Sequence, residues 1–352
     1  MADRLKAKGL GSVPGLLLAT QVLTASCGGA GPLRVEPQGV VDGTRGCQPV
    51  DISADQAGQV YLAVTCPSDP TSTGLGHVAS PVGGPVVFSV PPRTRIAAAQ
   101  AGVVYRLEEL HADNERSTDG GRSWTSMLRP NDTDHWVLTN VVAVDDRMLM
   151  GGANIGSLGM QPSPWAVDLW GFTPPASGAA DNMRLQTIGA LALSLQPAST
   201  TAWVAASLAD RLQIARSDDD GRTLVATTSV PIPGPELGLH FGGATLFVSH
   251  YKAKVEVISL PPDGTMRTVS LPAEVTEPYL GEVADPGGTL TVFFVSGGSL
   301  SVVRLELNAR AFSADTRIGD AVDQLVAYAP SAGHVVYAGT AGGEVVQGAI
   351  SW

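Results

Sequence analysis

The segment Gly58-Gln59-Val60-Tyr61-Leu62-Ala63 shows a pattern that recurs along the whole chain. A turn residue precedes small or β-branched residues, one bulky residue and further small residues. Six more segments share this pattern, and their bulky residues are Tyr105, Leu149, Trp203, Phe247, Phe293 and Tyr337. From Tyr61 onwards the bulky positions step by 44, 44, 54, 44, 46 and 44 residues. Spacing this regular indicates an internal repeat.

Most repeats carry a second apolar run just upstream of the first, at 50–53, 95–98, 141–144, 190–193 and 325–328. A turn separates the two runs, so each unit has the form of strand, tight turn, strand and weaker outer strands. A period near 45 residues with about four strands is typical of a β-propeller blade. The sequence therefore predicts an all-β fold over 47–352, a β-propeller with seven four-stranded blades. Six or eight blades are the alternatives.

The last repeat has room for only about three strands before the chain ends at Trp352. The segment Leu33-Arg34-Val35-Glu36-Pro37-Gln38-Gly39-Val40 can supply the missing outer strand. An open ring would expose two sheet edges, and closure removes them. We therefore expect an N-terminal strand to close the propeller.

Composition and charge exclude several classes of protein. The chain of 352 residues is 44% hydrophobic and 16% charged, which excludes a disordered chain. Its 41 glycines and 25 prolines suit many short strands joined by turns. The net charge is −11 and there is no basic run, so we predict no nucleic-acid binding and no electrostatic attraction to a membrane.

The N-terminus has the layout of a secretory signal peptide. Arg4, Lys6 and Lys8 precede a short apolar core at 16–23, and small residues then lead to Cys27. This core is too short for a stable membrane span. The ending resembles a bacterial lipobox, although Thr24 stands where that pattern prefers leucine. The resemblance implies a signal peptide over 1–26, lipidation of Cys27, and a tether with the closing strand over 27–46. The alternative is ordinary cleavage near Ser26 and a soluble secreted protein.

The two remaining cysteines, Cys47 and Cys66, flank a predicted hairpin. A hairpin centred on Gln56-Ala57 pairs residues whose numbers sum to 113, as 47 and 66 do. Cross-strand neighbours have the Cβ separation that a disulfide needs. We therefore predict a disulfide between Cys47 and Cys66, with two buried free thiols as the alternative.

One motif occurs in two copies, at 117–124 and 217–224. The first copy, Ser-Thr-Asp-Gly-Gly-Arg-Ser-Trp, matches Ser-x-Asp-x-Gly-x-x-Trp in full, and the second has leucine in place of the tryptophan. The motif resembles the Asp box, or bacterial neuraminidase repeat, of sialidase-like propellers. That resemblance implies a structural hairpin between the third and fourth strands of a blade, away from the ligand face. Its residues here are Ser117, Asp119, Gly121, Trp124, Ser217, Asp219, Gly221 and Leu224.

No catalytic, metal or cofactor site is predicted. Arg222 breaks the spacing that a calcium loop over the second motif would need. The six histidines form no His-x-His or His-x-x-x-His pair. A sialidase needs three converging arginines and a Tyr–Glu pair, and its usual Arg-Ile-Pro is matched only by Arg95-Ile96-Ala97, without the proline.

The predicted recognition surface lies on the loops that join second and third strands. Two of these loops, 67–80 and 152–165, are long, and the one near 249–254 is short. Functional residues usually lie on such loops. The candidates are His77, Met160, Trp165, His250, Tyr251 and Lys252. The alternative is that Trp165 and Tyr251 pack between blades.

These observations favour an exported, lipid-anchored propeller that binds or scaffolds a protein or glycan at the bacterial cell envelope without catalysis. The main alternative is a sialidase-like or other glycoside hydrolase. A second alternative is a chaperone that resembles photosystem assembly factors. Three arginines near a Tyr–Glu pair in the central channel would favour the sialidase.

Overall fold

The computed structural model describes residues 32–67, 77–78, 84–108, 114–127, 136–145, 147–154, 165–172, 183–187, 191–196, 199–207, 211–219, 225–232, 236–250, 254–262, 265–275 and 279–352. Every regular secondary-structure element in these ranges is a β-strand. Within the same ranges there is no helix long and apolar enough to cross a membrane. The strands build a β-propeller, so the predicted fold class is confirmed.

The described chain begins with two short strands, β1 (Arg34–Val35) and β2 (Gly39–Val40). Six consecutive segments then each form a four-stranded sheet. Blade 1 consists of β3 (Gln48–Ala54), β4 (Val60–Thr65), β5 (His77–Val78) and β6 (Val86–Ser89). Blade 2 consists of β7 (Thr94–Ala98), β8 (Val104–Glu108), β9 (Asn114–Ser117) and β10 (Thr125–Ser126). Blade 3 consists of β11 (Trp136–Val144), β12 (Arg147–Asn154), β13 (Trp165–Phe172) and β14 (Met183–Thr187).

The next three blades follow the same plan. Blade 4 consists of β15 (Leu191–Leu195), β16 (Ala202–Ser207), β17 (Arg211–Ser217) and β18 (Ala226–Pro231). Blade 5 consists of β19 (Glu236–Gly242), β20 (Thr245–His250), β21 (Lys254–Ser259) and β22 (Arg267–Ser270). Blade 6 consists of β23 (Gly281–Ala284), β24 (Thr289–Ser296), β25 (Ser299–Glu306) and β26 (Thr316–Asp320).

The two ends of the described chain share the remaining sheet, blade 7. Its C-terminal strands are β27 (Leu325–Ser331), β28 (His334–Ala341) and β29 (Glu344–Ser351). Both β1 and β2 pair with β29, through Arg34 opposite Ser351 and Gly39 opposite Gln347. The first strands of successive blades contact each other, and β27 contacts β3. The N-terminal strand therefore closes the ring, as predicted.

The seven bulky residues of the sequence repeat all lie in the second strand of a blade and are buried. A second strand has a paired strand on each side and a neighbouring blade against its faces. It is therefore the part of a blade where a large apolar side chain removes most surface from water. The hydrophobic core consequently lies between neighbouring sheets, as where Phe293 of blade 6 packs 5.6 Å from Tyr337 of blade 7 between ring centroids.

Strand direction gives the propeller two distinct faces. Because strands that follow each other along the chain within a blade alternate in direction, the connections from first to second and from third to fourth strand lie at one end of each blade. We call this end the turn face. The connections from second to third strand, and those from one blade to the next, lie at the other end, the loop face.

Blade 1 departs from the simple strand order. The strand β6 lies between β4 and β5 and runs parallel to β4. The chain therefore reaches the outer edge of this blade first and then returns to the third position. His77, which was predicted in a long loop from second to third strand, begins the outermost strand.

The predicted disulfide between Cys47 and Cys66 is confirmed, with an S–S distance of 2.05 Å. The predicted register was wrong near the turn. There Ile52 faces Leu62, so paired numbers sum to 114, and a bulge between Pro49 and Asp51 then shifts the sum to 113. The cause is a five-residue loop in which the Asp55 carboxylate accepts two backbone N–H groups.

Candidate functional site

Four polar side chains from blades 5 and 6 converge near the loop face, and we call them the Glu282 cluster. Glu282 lies on β23, His240 on β19, Ser249 on β20, and Tyr279 just before β23. His240 Nε2 lies 2.7 Å from Glu282 Oε1, and the Ser249 hydroxyl donates to the same oxygen. The Tyr279 hydroxyl donates to Oε2 across 3.1 Å. Both carboxylate oxygens are thus held by side chains.

The carboxylate of Glu282 is buried and ionised. Its side chain is 8% exposed, whereas that of His240 is 25% exposed. Burial alone would raise the pKa of Glu282. The charge of His240 and the hydrogen bonds from His240, Ser249 and Tyr279 together hold that pKa below its usual range. The cluster therefore keeps a negative charge inside the protein at neutral pH.

Gly238 is required for this arrangement. A Cβ atom at that position would lie 2.4 Å from Glu282 Oε1 and 2.8 Å from His240 Nε2. The glycine on β19 lets the side chain of the next blade approach the strand closely. Any larger residue there would have to displace the carboxylate.

Polar residues on other first strands have a different role. Asp51 Oδ2 accepts the backbone N–H of Ile96 at 2.8 Å, and Ser53 Oγ accepts that of Ala98 at 2.9 Å. Asn140 likewise donates to the backbone carbonyl of Leu191, at 3.1 Å. These side chains satisfy backbone groups along the edge of the next blade. The Glu282 carboxylate accepts hydrogen bonds from side chains alone. Its presence is therefore not explained by a need to satisfy backbone groups at the edge of a neighbouring strand.

The turn face is joined across blades by hydrogen bonds between turns. The backbone N–H of Gln56 donates to Ala99 O at 3.0 Å, and that of Gln100 donates to Asp145 O at 3.1 Å. The Gln56 side chain reaches Asp145 Oδ1 at 2.8 Å. Elsewhere on this face, Asp285 Oδ2 accepts the N–H of Gly333 at 3.0 Å. These contacts occupy polar groups that a ligand would otherwise meet.

The first octapeptide motif forms the hairpin between β9 and β10, the third and fourth strands of blade 2. The Ser123 hydroxyl donates to Asp119 Oδ2 at 2.5 Å, and Asp119 Oδ1 accepts the N–H groups of Ser123 and Arg122 at 2.9 and 3.0 Å. Together these bonds hold the pKa of Asp119 well below its usual range. Ser117 Oγ accepts the N–H of Gly121 at 2.7 Å. The hydrogen bonds of the motif residues thus stabilise the turn itself, which lies on the turn face. Its classification as an Asp box stays a prediction.

The second motif occupies the same place in blade 4. Ser217 ends β17, the third strand, and its hydroxyl donates to Asp219 Oδ1 at 2.7 Å. The corresponding bond in the first motif, from Ser117 to Asp119, is 2.8 Å. Gly221 and Leu224 lie outside the described residues.

The predicted recognition residues are only partly described. His250 ends β20 and is 5% exposed, directly after Ser249 of the cluster. Trp165 begins β13 at the loop face, and His77 lies at the outer edge of blade 1. Met160, Tyr251 and Lys252, like the predicted lipidation site Cys27, lie outside the described residues. His77 and Trp165 are thus placed on other blades than the cluster.

Sequence reasoning missed all four members of the Glu282 cluster. One signal was available, because Glu282 lies in the apolar first strand of its repeat, 11 residues before Phe293. A charged residue in a buried strand is rare without a partner. Among the described residues, no group of three or more His, Cys, Asp or Glu side chains could hold a metal ion.

No protein-family model and no curated protein matches the chain. Several solved structures share its fold. KlHsv2 with loop 6CD replaced by a Gly-Ser linker is 10% identical, with 83% of this chain and 89% of that chain covered and a TM-score of 0.55. The Dos1 propeller is 9% identical, with 90% and 94% covered and a TM-score of 0.54. Apo AztD from Citrobacter koseri is 10% identical, with 87% and 89% covered and a TM-score of 0.50. The chain is thus a β-propeller protein, and identities this low show the fold alone.

Proposed function

We propose that this protein is an exported, lipid-anchored β-propeller that binds a partner protein at the cell envelope through its loop face, without catalysis. The observation that carries the proposal is the Glu282 cluster. Polar side chains from two blades converge there around a buried charge that no backbone pairing requires. On the turn face, in contrast, bonds between turns occupy several polar groups of the described residues.

Two features support the export and the orientation. A disulfide such as Cys47–Cys66 persists in oxidising compartments outside the cytosol. Arg34 of β1 pairs with Ser351 at the turn-face end of β29. The described chain therefore enters the propeller at its turn face, opposite the loop face that we propose for the partner.

Site-specific photo-crosslinking in the native host tests the binding face. A photoreactive residue replaces Glu274, which is exposed on the loop face, or Ala101, which is exposed on the turn face. We expect an adduct of defined mass from position 274 and none from position 101. Adducts from position 101 alone would overturn the proposal. Intact mass of the membrane fraction tests the anchor, which predicts a chain that begins at lipidated Cys27.

A glycoside hydrolase of sialidase type is the second candidate, because Tyr279 and Glu282 form a hydroxyl–carboxylate pair 3.1 Å apart. Among the described residues, however, the Glu282 carboxylate accepts no hydrogen bond from an arginine. Hydrolysis of a fluorogenic sialoside decides between the two. Turnover that Tyr279→Phe abolishes would replace the binding proposal with the enzyme.

A further inference from the structure

We propose that the Glu282 cluster is a recognition site for a primary ammonium group, presented by a lysine side chain of the partner protein. The inference rests on the proposed function, since it names the chemistry that the loop face recognises. In this site Glu282 makes the ionic contact with the ammonium group, and the side chains of His240 and Tyr279 form the two sides.

The first argument concerns charge. The Glu282 carboxylate is 8% exposed, and no lysine or arginine among the described residues forms an ion pair with it. His240 is the one group there that can carry a compensating charge. A buried carboxylate is costly to keep ionised unless it is paired and hydrogen-bonded. A cationic ligand would add positive charge next to Glu282, whose negative charge His240 alone compensates only in part.

The second argument concerns hydrogen-bond capacity. An ionised carboxylate offers about four acceptor positions. Oε1 of Glu282 has two partners, His240 and Ser249, whereas Oε2 has only the hydroxyl of Tyr279. One position at Oε2 is therefore open to another donor. An ammonium group provides three donors together with a positive charge.

The third argument concerns access. Ser249 is fully buried, while His240 is 25% exposed and Tyr279 is half-buried. A ligand therefore reaches the carboxylate past His240 and Tyr279. An approach between these two side chains to a carboxylate that is 8% exposed suits a compact charge on a slender stem, which lysine has, better than the broad planar guanidinium of arginine.

The surroundings of the site have the matching charge. Glu274 and Asp323 are exposed on the loop face, in the segments that lead into β23 and β27. Exposed bases are present as well, at Lys254 at the start of β21 and at Arg317 on β26. The whole chain has a net charge of −11. This field attracts cations and opposes anionic sugars such as sialosides.

The test measures binding of Nα-acetyl-lysine methylamide to the full chain in detergent micelles by ligand-observed NMR. The control ligand carries an additional acetyl group on Nε, which removes the charge and keeps the stem. We expect saturable binding at millimolar concentrations for the charged ligand only. Equal binding of both ligands, or of neither, would overturn the inference.

Variants locate the site. Glu282→Gln keeps the shape of the side chain and should weaken binding about tenfold or more, the effect of losing one charge-assisted hydrogen bond. Glu256→Gln is the matched control, because Glu256 of blade 5 also has a buried side chain but accepts its hydrogen bonds from Thr268. It should bind the ligand as the unchanged protein does. Equal losses in the two variants would contradict the assignment.

A further variant keeps the inference testable if Glu282→Gln does not fold. Tyr279→Phe removes the partner of Oε2 and leaves the charge in place. It frees a second acceptor position on Oε2 and should bind the ligand more tightly than the unchanged protein does, whereas a tenfold loss would overturn the role of Oε2. If photo-crosslinks form from position 274 while no variant changes ammonium binding, the inference fails and the proposed function stands.

Discussion

The hydroxyl of Tyr61 donates to Asp55 Oδ2 across 3.1 Å, in the hairpin that opens blade 1. The same carboxylate accepts the N–H of Gly102 from blade 2 at 3.1 Å, so one side chain serves two blades. Burial and the charge of Asp55 both raise the pKa of Tyr61. Tyr337 occupies the same repeat position in blade 7, but its buried hydroxyl has no hydrogen-bond partner among the described residues, and burial raises its pKa to about 12.

These two tyrosines should respond differently to loss of the hydroxyl. Tyr61→Phe removes a bond to a buried carboxylate and should lower the free energy of unfolding by about 1.5–3 kcal/mol. Tyr337→Phe removes a hydroxyl that is already unsatisfied, so it should leave stability unchanged or raise it. Urea unfolding of both variants measures the difference. Equal destabilisation would show that the Tyr61 bond contributes nothing specific.

Stability should fall in acid in part through Glu282. Because its folded-state pKa lies below the unfolded value of about 4.3, its contribution is fully present above about pH 5. The contribution is lost as the pH falls through the lower, folded-state pKa. The stability gap between the unchanged protein and Glu282→Gln should therefore narrow from pH 6 towards pH 3. A gap that stays constant or widens in urea titrations at each pH would contradict this.

The disulfide should stabilise the protein mainly through the unfolded state. Cys47 and Cys66 are separated by 19 positions, and the chain-entropy relation gives about 3 kcal/mol for a loop of this length. The double variant Cys47→Ser with Cys66→Ser should lose about that amount in urea unfolding under oxidising conditions. Added reductant should destabilise the unchanged protein and leave the double variant unaffected. A double variant as stable as the oxidised protein would refute this prediction.

Two neighbouring glycines in the first octapeptide motif provide a matched pair. Both have positive φ, 73° at Gly120 and 85° at Gly121. A Cβ at Gly121 would lie 2.4 Å from the ring of Phe88, whereas one at Gly120 meets nothing closer than 3.8 Å. Gly120→Ala should cost about 1–2 kcal/mol for the left-handed backbone.

Gly121→Ala should cost at least about 1–3 kcal/mol more, because the ring must move in a packed interior. Thermal unfolding compares the two variants directly. If Gly120→Ala lowered the unfolding temperature more than Gly121→Ala, the ring of Phe88 from blade 1 would not be what restricts residue 121 to glycine.

The repeat made the fold predictable because bulky buried residues are a local signal. Tyr61 and Tyr337 stand near the two ends of the chain, yet both mark second strands. The disulfide prediction succeeded although its register near the turn was wrong. The five-residue loop at Asp55 and the bulge near Pro49 offset each other. Neither feature has a signature in the apolar pattern.

The candidate site was not predictable in the same way. Its residues lie at 240, 249, 279 and 282, on two blades, and only the packing of β19 against β23 brings them together. The strand order of blade 1 was hidden as well, since β5 has only two residues and no periodic pattern. Local patterns fix which residues form strands, whereas contacts between blades depend on the closed ring.

The sharing of blade 7 between both chain ends also constrains biosynthesis. Arg34 is synthesised well before Ser351, and the two pair in one sheet. At about 5–20 residues per second, on the order of tens of seconds pass between them. During that time the emerging blades remain an open arc with free edges. Final closure thus has to await synthesis of β29, and a stalled or truncated product keeps an edge that can recruit other strands.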